Sequence, residues 1–167
     1  QRSEHEELRS LGELQDLGVN PHGFDPIVWS TGLWNGVEFG VPIYCTAQLL
    51  AYRRDLFQER RLSPPKSFDE VIEVGRAFHE PSKGRYGMVW DAAPGMPVAQ
   101  SFMFFMGACG SPIISLRQSA GTYTHEGFNP ADSVPLVASD TARLVLDYMH
   151  RLVEISPHDI LDKAWDE

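Results

Sequence analysis

The adjacent prolines Pro64 and Pro65 constrain this chain more than any other feature, because neither can continue a helix and each restricts the residue before it. Upstream of them, Leu49, Leu50, Ala51 and Tyr52 form a short apolar run of the length of a buried strand, ended by Arg53 and Arg54. Downstream, Ser67 with Glu70 three residues on makes a capping box. The helix it opens carries Phe68, Val71, Ile72 and Phe78 on one side. The segment reads as strand, short helix, proline break and helix, which is an α/β unit.

The flanking segments extend this pattern. Leu8, Leu11 and Leu14 recur at helical spacing in residues 4–17, and Asn20-Pro21, Gly23 and Asp25-Pro26 punctuate the turns that follow. Asn35-Gly36, set between Leu33-Trp34 and Val37, predicts a two-residue hairpin turn, with Trp29 and Trp34 packing against it. Gly40 and Pro42 suit a chain leaving one sheet for another. After the capped helix, residues 80–84 predict a loop and residues 86–90 a strand. Residues 91–97 predict an irregular loop of the kind found at the edge where α/β proteins place ligands. Pro97 suits the first turn of a helix over 98–108 that is apolar nearly all round, so it is either deeply buried or meets another surface. Residues 111–136 are polar and turn-rich, with short strands expected near 112–116. Ser139 and Asp140 then open an amphipathic helix on which Ala142, Val145, Met149 and Leu152 recur at 3, 4 and 3 residues.

The charge balance, 14 basic against 23 acidic residues for a net −9, argues against nucleic acid or an anionic membrane as partner, since both need clustered cations. No apolar run approaches the roughly 18 residues of a membrane span, and no basic-then-apolar leader opens the chain. Cys45 and Cys109 lie outside any C-x-x-C spacing and read as two small buried thiols; spacing leaves open whether they pair. The six histidines form no metal-ligand pattern, and each reads as a surface or capping residue. The sequence has no nucleophile elbow, P-loop or dinucleotide fingerprint, and Glu38 with Asp91 makes a carboxylate pair of undefined separation. What remains is recognition. Aromatic planes together with Asp, Gln and Thr are the groups that hold sugar faces and hydroxyls.

Four pieces in order carry a resemblance. They are Trp34-Asn35-Gly36-Val37-Glu38-Phe39-Gly40-Val41-Pro42, the run ending at Tyr52, Asp55-Leu56-Phe57, and Pro64-Pro65-Lys66-Ser67-Phe68-Asp69-Glu70. Together they resemble the middle of the extracellular solute-binding proteins of ABC importers, in the branch that includes maltodextrin-binding and other sugar-binding proteins. The resemblance implies an α/β fold of the periplasmic-binding-protein type, with residues 1–43 a first-lobe segment and hinge crossing and residues 44–167 a partial second lobe. It implies capture of a small extracytoplasmic solute, a carbohydrate by preference, between two lobes that close on it and are read by permease subunits. It implies no enzymatic activity, no cofactor and no metal. By position in the family pattern, Tyr44, Thr46, Trp90, Asp91 and Gln100 are the expected ligand contacts, with core packing the competing expectation for Tyr44 and Trp90 and a loop cap for Asp91. A polyamine, phosphate ester or iron chelate is the alternative solute, and a carbohydrate-active enzyme the alternative class. Because the resemblance covers only the middle of the family pattern, the chain is expected to be part of a longer exported protein whose leader lies upstream. Alone it is expected to bind its solute weakly and to self-associate as a homodimer or higher oligomer.

Overall fold

The computed structural model describes residues 10–12, 18–34, 37–115, 117–119, 122–124 and 133–164. Most of the expected helix over 4–17 and the Asn35-Gly36 turn lie outside them. The chain divides into two compact units, Gln1–Gln48 with Ser115–Val134, and Leu49–Ile114 with Pro135–Glu167. This division falls after Gln48, and the stretch Ser115–Val134 groups with the first unit. A unit is defined by contacts distant in sequence, which local pattern does not record.

In the first unit, Asn20 caps a single 3-10 turn over Pro21–Gly23, its side chain accepting from the His22 amide at 3.1 Å. Asp25 caps α1 (Pro26–Ser30), accepting from the amides of Ile27 at 2.9 Å and Val28 at 3.3 Å, with Pro26 at the first helical position. Trp29 is buried on this short helix, its ring 5.0 Å from Phe24. The expected hairpin forms: β1 (Leu33–Trp34) pairs antiparallel with β2 (Val37–Glu38), Leu33 opposite Glu38 and Trp34 opposite Val37. Its open end is tied by the Gly32 carbonyl, which accepts from the amides of Phe39 at 2.9 Å and Gly40 at 3.2 Å, and on its other edge Leu11 donates to the Glu38 carbonyl at 2.7 Å.

A second hairpin pairs β3 (Arg117–Ser119) with β4 (Thr122–Thr124) in antiparallel register, Gln118 opposite Tyr123. These strands lie beyond the expected 112–116, where Ile114 makes only an isolated bridge to Pro135.

The second unit is helical. In α2 (Arg54–Arg60) the chain turns out through Arg61 in the left-handed region, φ 54°. Across the proline break, α3 (Phe68–Phe78) starts at Ser67, whose Oγ accepts from the Glu70 amide at 3.2 Å; the Glu70 carboxylate reaches back to the Lys66 amide at 2.7 Å, one residue earlier than a standard capping box. α4 (Met96–Ala108) has Pro97 in its first turn, and α5 (Asp140–Glu154) is capped by Ser139 on the Ala142 amide at 3.1 Å.

Two buried clusters hold these helices together. One contains Ile72, Tyr148, Leu152 and Ile155, the other Met106, Ala142, Val145 and Met149, and Trp90 and Phe105 pack against both. The aromatic seam is ordered: Phe68 stacks on Tyr148 at 4.1 Å and 8°, and Phe105 meets Tyr148 edge-on at 5.1 Å and 85°. Burial pushes the Tyr148 hydroxyl up to about 12, since the phenolate would lose its water. The periodic residues of α5 are thus the core, as their spacing predicts.

Three expectations change. The run 49–52 is not a buried strand: it has no regular structure, and Leu49 is 89% exposed and Tyr52 46%. A strand needs a neighbour for its amides and carbonyls, and among the described residues no main chain pairs with 41–52. Residues 86–90 likewise form no ladder, though their backbone is held in another way. The thiols of Cys45 and Cys109 are free and exposed rather than buried. Of the two readings of α4, the face bearing Ser101 and Met106 is buried, while Met96, Ala99, Met103 and Gly107 are exposed.

Candidate functional site

The irregular segment after α3 is built by contacts from three sides. Glu80 and Arg85 bridge across the turn over Pro81–Lys83 and bring the chain back along α3. Gly87 then packs on Gly75 of α3 so closely that a Cβ at Gly87 would sit 2.7 Å from the Gly75 carbonyl carbon. No residue with a side chain fits that approach. The amides of Gly87 and Met88 both donate to the Ile155 carbonyl, at 2.8 and 3.2 Å, and those of Ala92 and Ala93 to the Lys163 carbonyl, at 3.2 and 2.9 Å. The chain end of α5 and the turn after it therefore substitute for a neighbouring strand. Gly95, at φ 90°, turns the chain into α4, where the Val98 amide bonds the Ala93 carbonyl at 3.1 Å.

Trp90 and Asp91 sit in the middle of this clamp. Trp90 is half-buried, with Phe105 at 6.3 Å and both core clusters against it, and its indole N–H is buried with no acceptor among the described residues. Packing on the core, the competing expectation for Trp90, describes most of its ring. Asp91 is half-buried, and its carboxylate has no hydrogen-bond or ion-pair partner among the described residues, so it is not a loop cap. Ala92 beside it is 2% exposed. Gln100, half-buried in the second turn of α4, also has an unpartnered side chain among those residues.

The structure gathers three of the five expected contacts, Trp90, Asp91 and Gln100, around one end of α4 in the second unit. Tyr44, 78% exposed, and Thr46, exposed, belong to the first unit, in a stretch without regular structure. Tyr44 is therefore not a core aromatic. Two grooves of the second unit lie elsewhere. One, of about 340 Å³, runs between Leu50–Arg53 and Tyr86–Val89 over Phe57, Val74 and Phe78; the other, of about 650 Å³, lies by Lys66, Asp69, Cys109 and Arg151. Neither is lined by Trp90, Asp91 or Gln100.

Sequence reasoning missed Ser101. Its hydroxyl, on a residue 2% exposed, donates to the Asp91 carbonyl at 2.9 Å. The available signal was a serine on the inward face of a helix whose other residues, Gln100 apart, are apolar.

The family model for bacterial extracellular solute-binding proteins matches residues 12–151. The crystal structure of an ABC transporter solute-binding protein from Agrobacterium radiobacter K84, in complex with ribitol, superposes with a TM-score of 0.73 at 24% identity, covering 95% of this chain. The fold is therefore that of a periplasmic-binding-protein lobe, and the chain spans 37% of the length of that protein. No curated protein matches the chain. Among the described residues no helix is long and apolar enough to cross a membrane.

Proposed function

Because this chain belongs to the bacterial extracellular solute-binding protein family, we propose that it forms part of the solute-receiving component of an ABC importer and binds a small polyhydroxylated molecule, a sugar or sugar alcohol, outside the cytoplasm. The observation that carries the reading is the Asp91 carboxylate, without a partner among the described residues, on a main chain held by hydrogen bonds on either side. A carboxylate accepts two hydroxyl hydrogen bonds in the plane of its oxygens, and vicinal diols present such pairs. Gln100 adds an amide that both donates and accepts, and the exposed part of the Trp90 ring supplies an apolar surface for the carbon face of the solute. Tyr44 and Thr46, open to solvent in the first unit, are candidates by position in the family pattern alone. The ribitol bound by the similar Agrobacterium protein supports a solute of this chemistry.

The role is binding without turnover, with permease subunits as the partner that receives the solute. A ligand of this kind acts by preferring one of the conformations already available to its receptor. The test is a thermal-shift and calorimetric panel on the natural polypeptide carrying this chain, using ribitol, a hexose, a disaccharide, putrescine and a sugar phosphate. Stabilisation by a neutral polyol or sugar, with the compound recovered unchanged, is the expected result. Stabilisation by putrescine or the sugar phosphate alone would replace the sugar reading with the charged-solute one.

A further inference from the structure

Among the described residues two serines are buried, and they use their hydroxyls differently. Ser156, 6% exposed, donates to the Leu152 carbonyl at 2.7 Å, four residues back. That is the ordinary way for a serine at a helix end to satisfy itself, and it ties nothing else in place. Ser101, 2% exposed and inside the second turn of α4, has the Pro97 carbonyl available at the same spacing. It reaches out of its helix instead, to the Asp91 carbonyl ten residues earlier.

A hydroxyl in so apolar a helix is out of place unless the bond it makes is needed, because a buried hydroxyl without a partner is unfavourable and alanine would suit both helix and core better. The bond goes to Asp91, whose carboxylate has no partner among the described residues. The neighbouring amides, those of Gly87, Met88, Ala92 and Ala93, are held by the Ile155 and Lys163 carbonyls, but none of these bonds touches Asp91 itself. From Ser101 alone does Asp91 receive a hydrogen bond among the described residues.

We infer that Ser101 is a positioning residue for solute binding: by holding the Asp91 carbonyl it fixes the peptide that aims the Asp91 carboxylate, without touching the solute. The inference rests on the assignment of Asp91 as a solute contact. It makes α4 the reference body for the site, since Gln100, the adjacent residue on the same turn, then keeps a constant separation from the Asp91 main chain.

The test compares Ser101→Ala with Ser156→Ala, which removes a hydroxyl of similar burial, in the natural polypeptide carrying this chain. Amide hydrogen exchange is read without ligand and ribitol affinity by calorimetry. Ser101→Ala is expected to raise exchange at Ala92 and Ala93 while leaving Gly87 and Met88 protected, a local pattern that general destabilisation would not produce. It is expected to weaken ribitol binding about tenfold, the scale of one hydrogen bond lost from a fixed site. Ser156→Ala is expected to match the wild type in both. Unchanged exchange at Ala92 and Ala93 in Ser101→Ala would overturn the anchoring. Raised exchange with unaltered ribitol affinity would overturn its role in binding. A wild-type protein that binds no ribitol would count against the sugar-alcohol reading on which this rests, while the exchange result still decides the anchoring on its own.

Discussion

Two short segments of the second unit carry the same kind of sequence and meet opposite fates. Residues 49–52, Leu-Leu-Ala-Tyr, and residues 86–90, Tyr-Gly-Met-Val-Trp, are apolar, precede charged or polar residues and lie on either side of the α2–α3 pair. The second is fastened by the Ile155 carbonyl and the Gly75–Gly87 contact, and residues 91–93 that continue it by Ser101 and the Lys163 carbonyl, so that Trp90 and Asp91 lie between held stretches. The first has no main-chain partner among the described residues, and its leucines face solvent. Apolar character makes burial favourable, but a backbone is buried only where something accepts and donates its hydrogen bonds. The difference between the segments is thus a difference in neighbours.

The comparison is broken most severely by removing what anchors the second segment. Leu152 is fully buried in the cluster that carries Ile155, so Leu152→Ala should lower unfolding free energy by about 2–5 kcal/mol through lost burial and the cavity left behind. Chemical denaturation would check it, and a loss under about 1 kcal/mol would mean that the site collapses freely. Next comes Gly87→Ala. Its methyl would meet the Gly75 backbone, which cannot swing aside as a side chain can, and about 1–3 kcal/mol of overpacking should follow, with the fluorescence of Trp90 altered in the folded state. Wild-type stability and an unchanged spectrum would show that α3 and the segment can separate at little expense.

Asp91→Ala sharpens the comparison from the functional side. Affinity for the solute should fall by about 1–3 kcal/mol with the melting temperature nearly unchanged, because the carboxylate bonds no other group among the described residues. Trp90→Ala, in contrast, should lower stability as well, since its ring packs on both core clusters. An Asp91→Ala protein with full affinity would remove Asp91 from the site.

The unanchored segment should show the reverse behaviour. Leu49→Ser should change stability by no more than about 0.5 kcal/mol, the range for exposed positions, while reducing self-association driven by the open apolar surface of Leu49, Leu50, Tyr52 and Val89. Sedimentation at micromolar concentration tests this, and a wild type that is monomeric throughout would retire the expected homodimer.

The smallest effect concerns pH. Glu80, at the start of the anchored segment, accepts from Lys83 at 3.2 Å and from Arg60 at 3.3 Å, and these cations hold its carboxyl below the usual glutamate range. A carboxyl depressed in the folded state contributes stability above its ordinary pKa and loses it as pH falls through the lower folded value. Glu80→Gln should therefore narrow the stability difference between neutral and acid pH slightly, and high salt should mask the effect. An unaltered acid profile would mean the cluster is merely solvated.

Much of this protein is legible in its sequence because it rests on short-range physics. Ser67 and Ser139 cap helices where their spacing to the following residues predicts, and Pro64-Pro65 divides α2 from α3. The core of α5 follows a 3.6-residue period, a property of the helix alone. The Gly-Val-Pro and Pro-Pro-Lys runs likewise identify the family before any coordinate is known. Other features depend on which distant groups come to lie alongside. Ile155 and Lys163 supply carbonyls to residues far earlier in the chain, Ser101 turns away from its own helix toward Asp91, and residues 115–134 group with the first unit. None of these has a local period or motif. A hydrogen bond between segments distant in sequence is chosen by packing, and so is the exposure of an apolar run that finds no neighbour. Local chemistry determined what each segment of this protein is able to become, and tertiary contact decided that the Asp91 main chain would be held by Ser101.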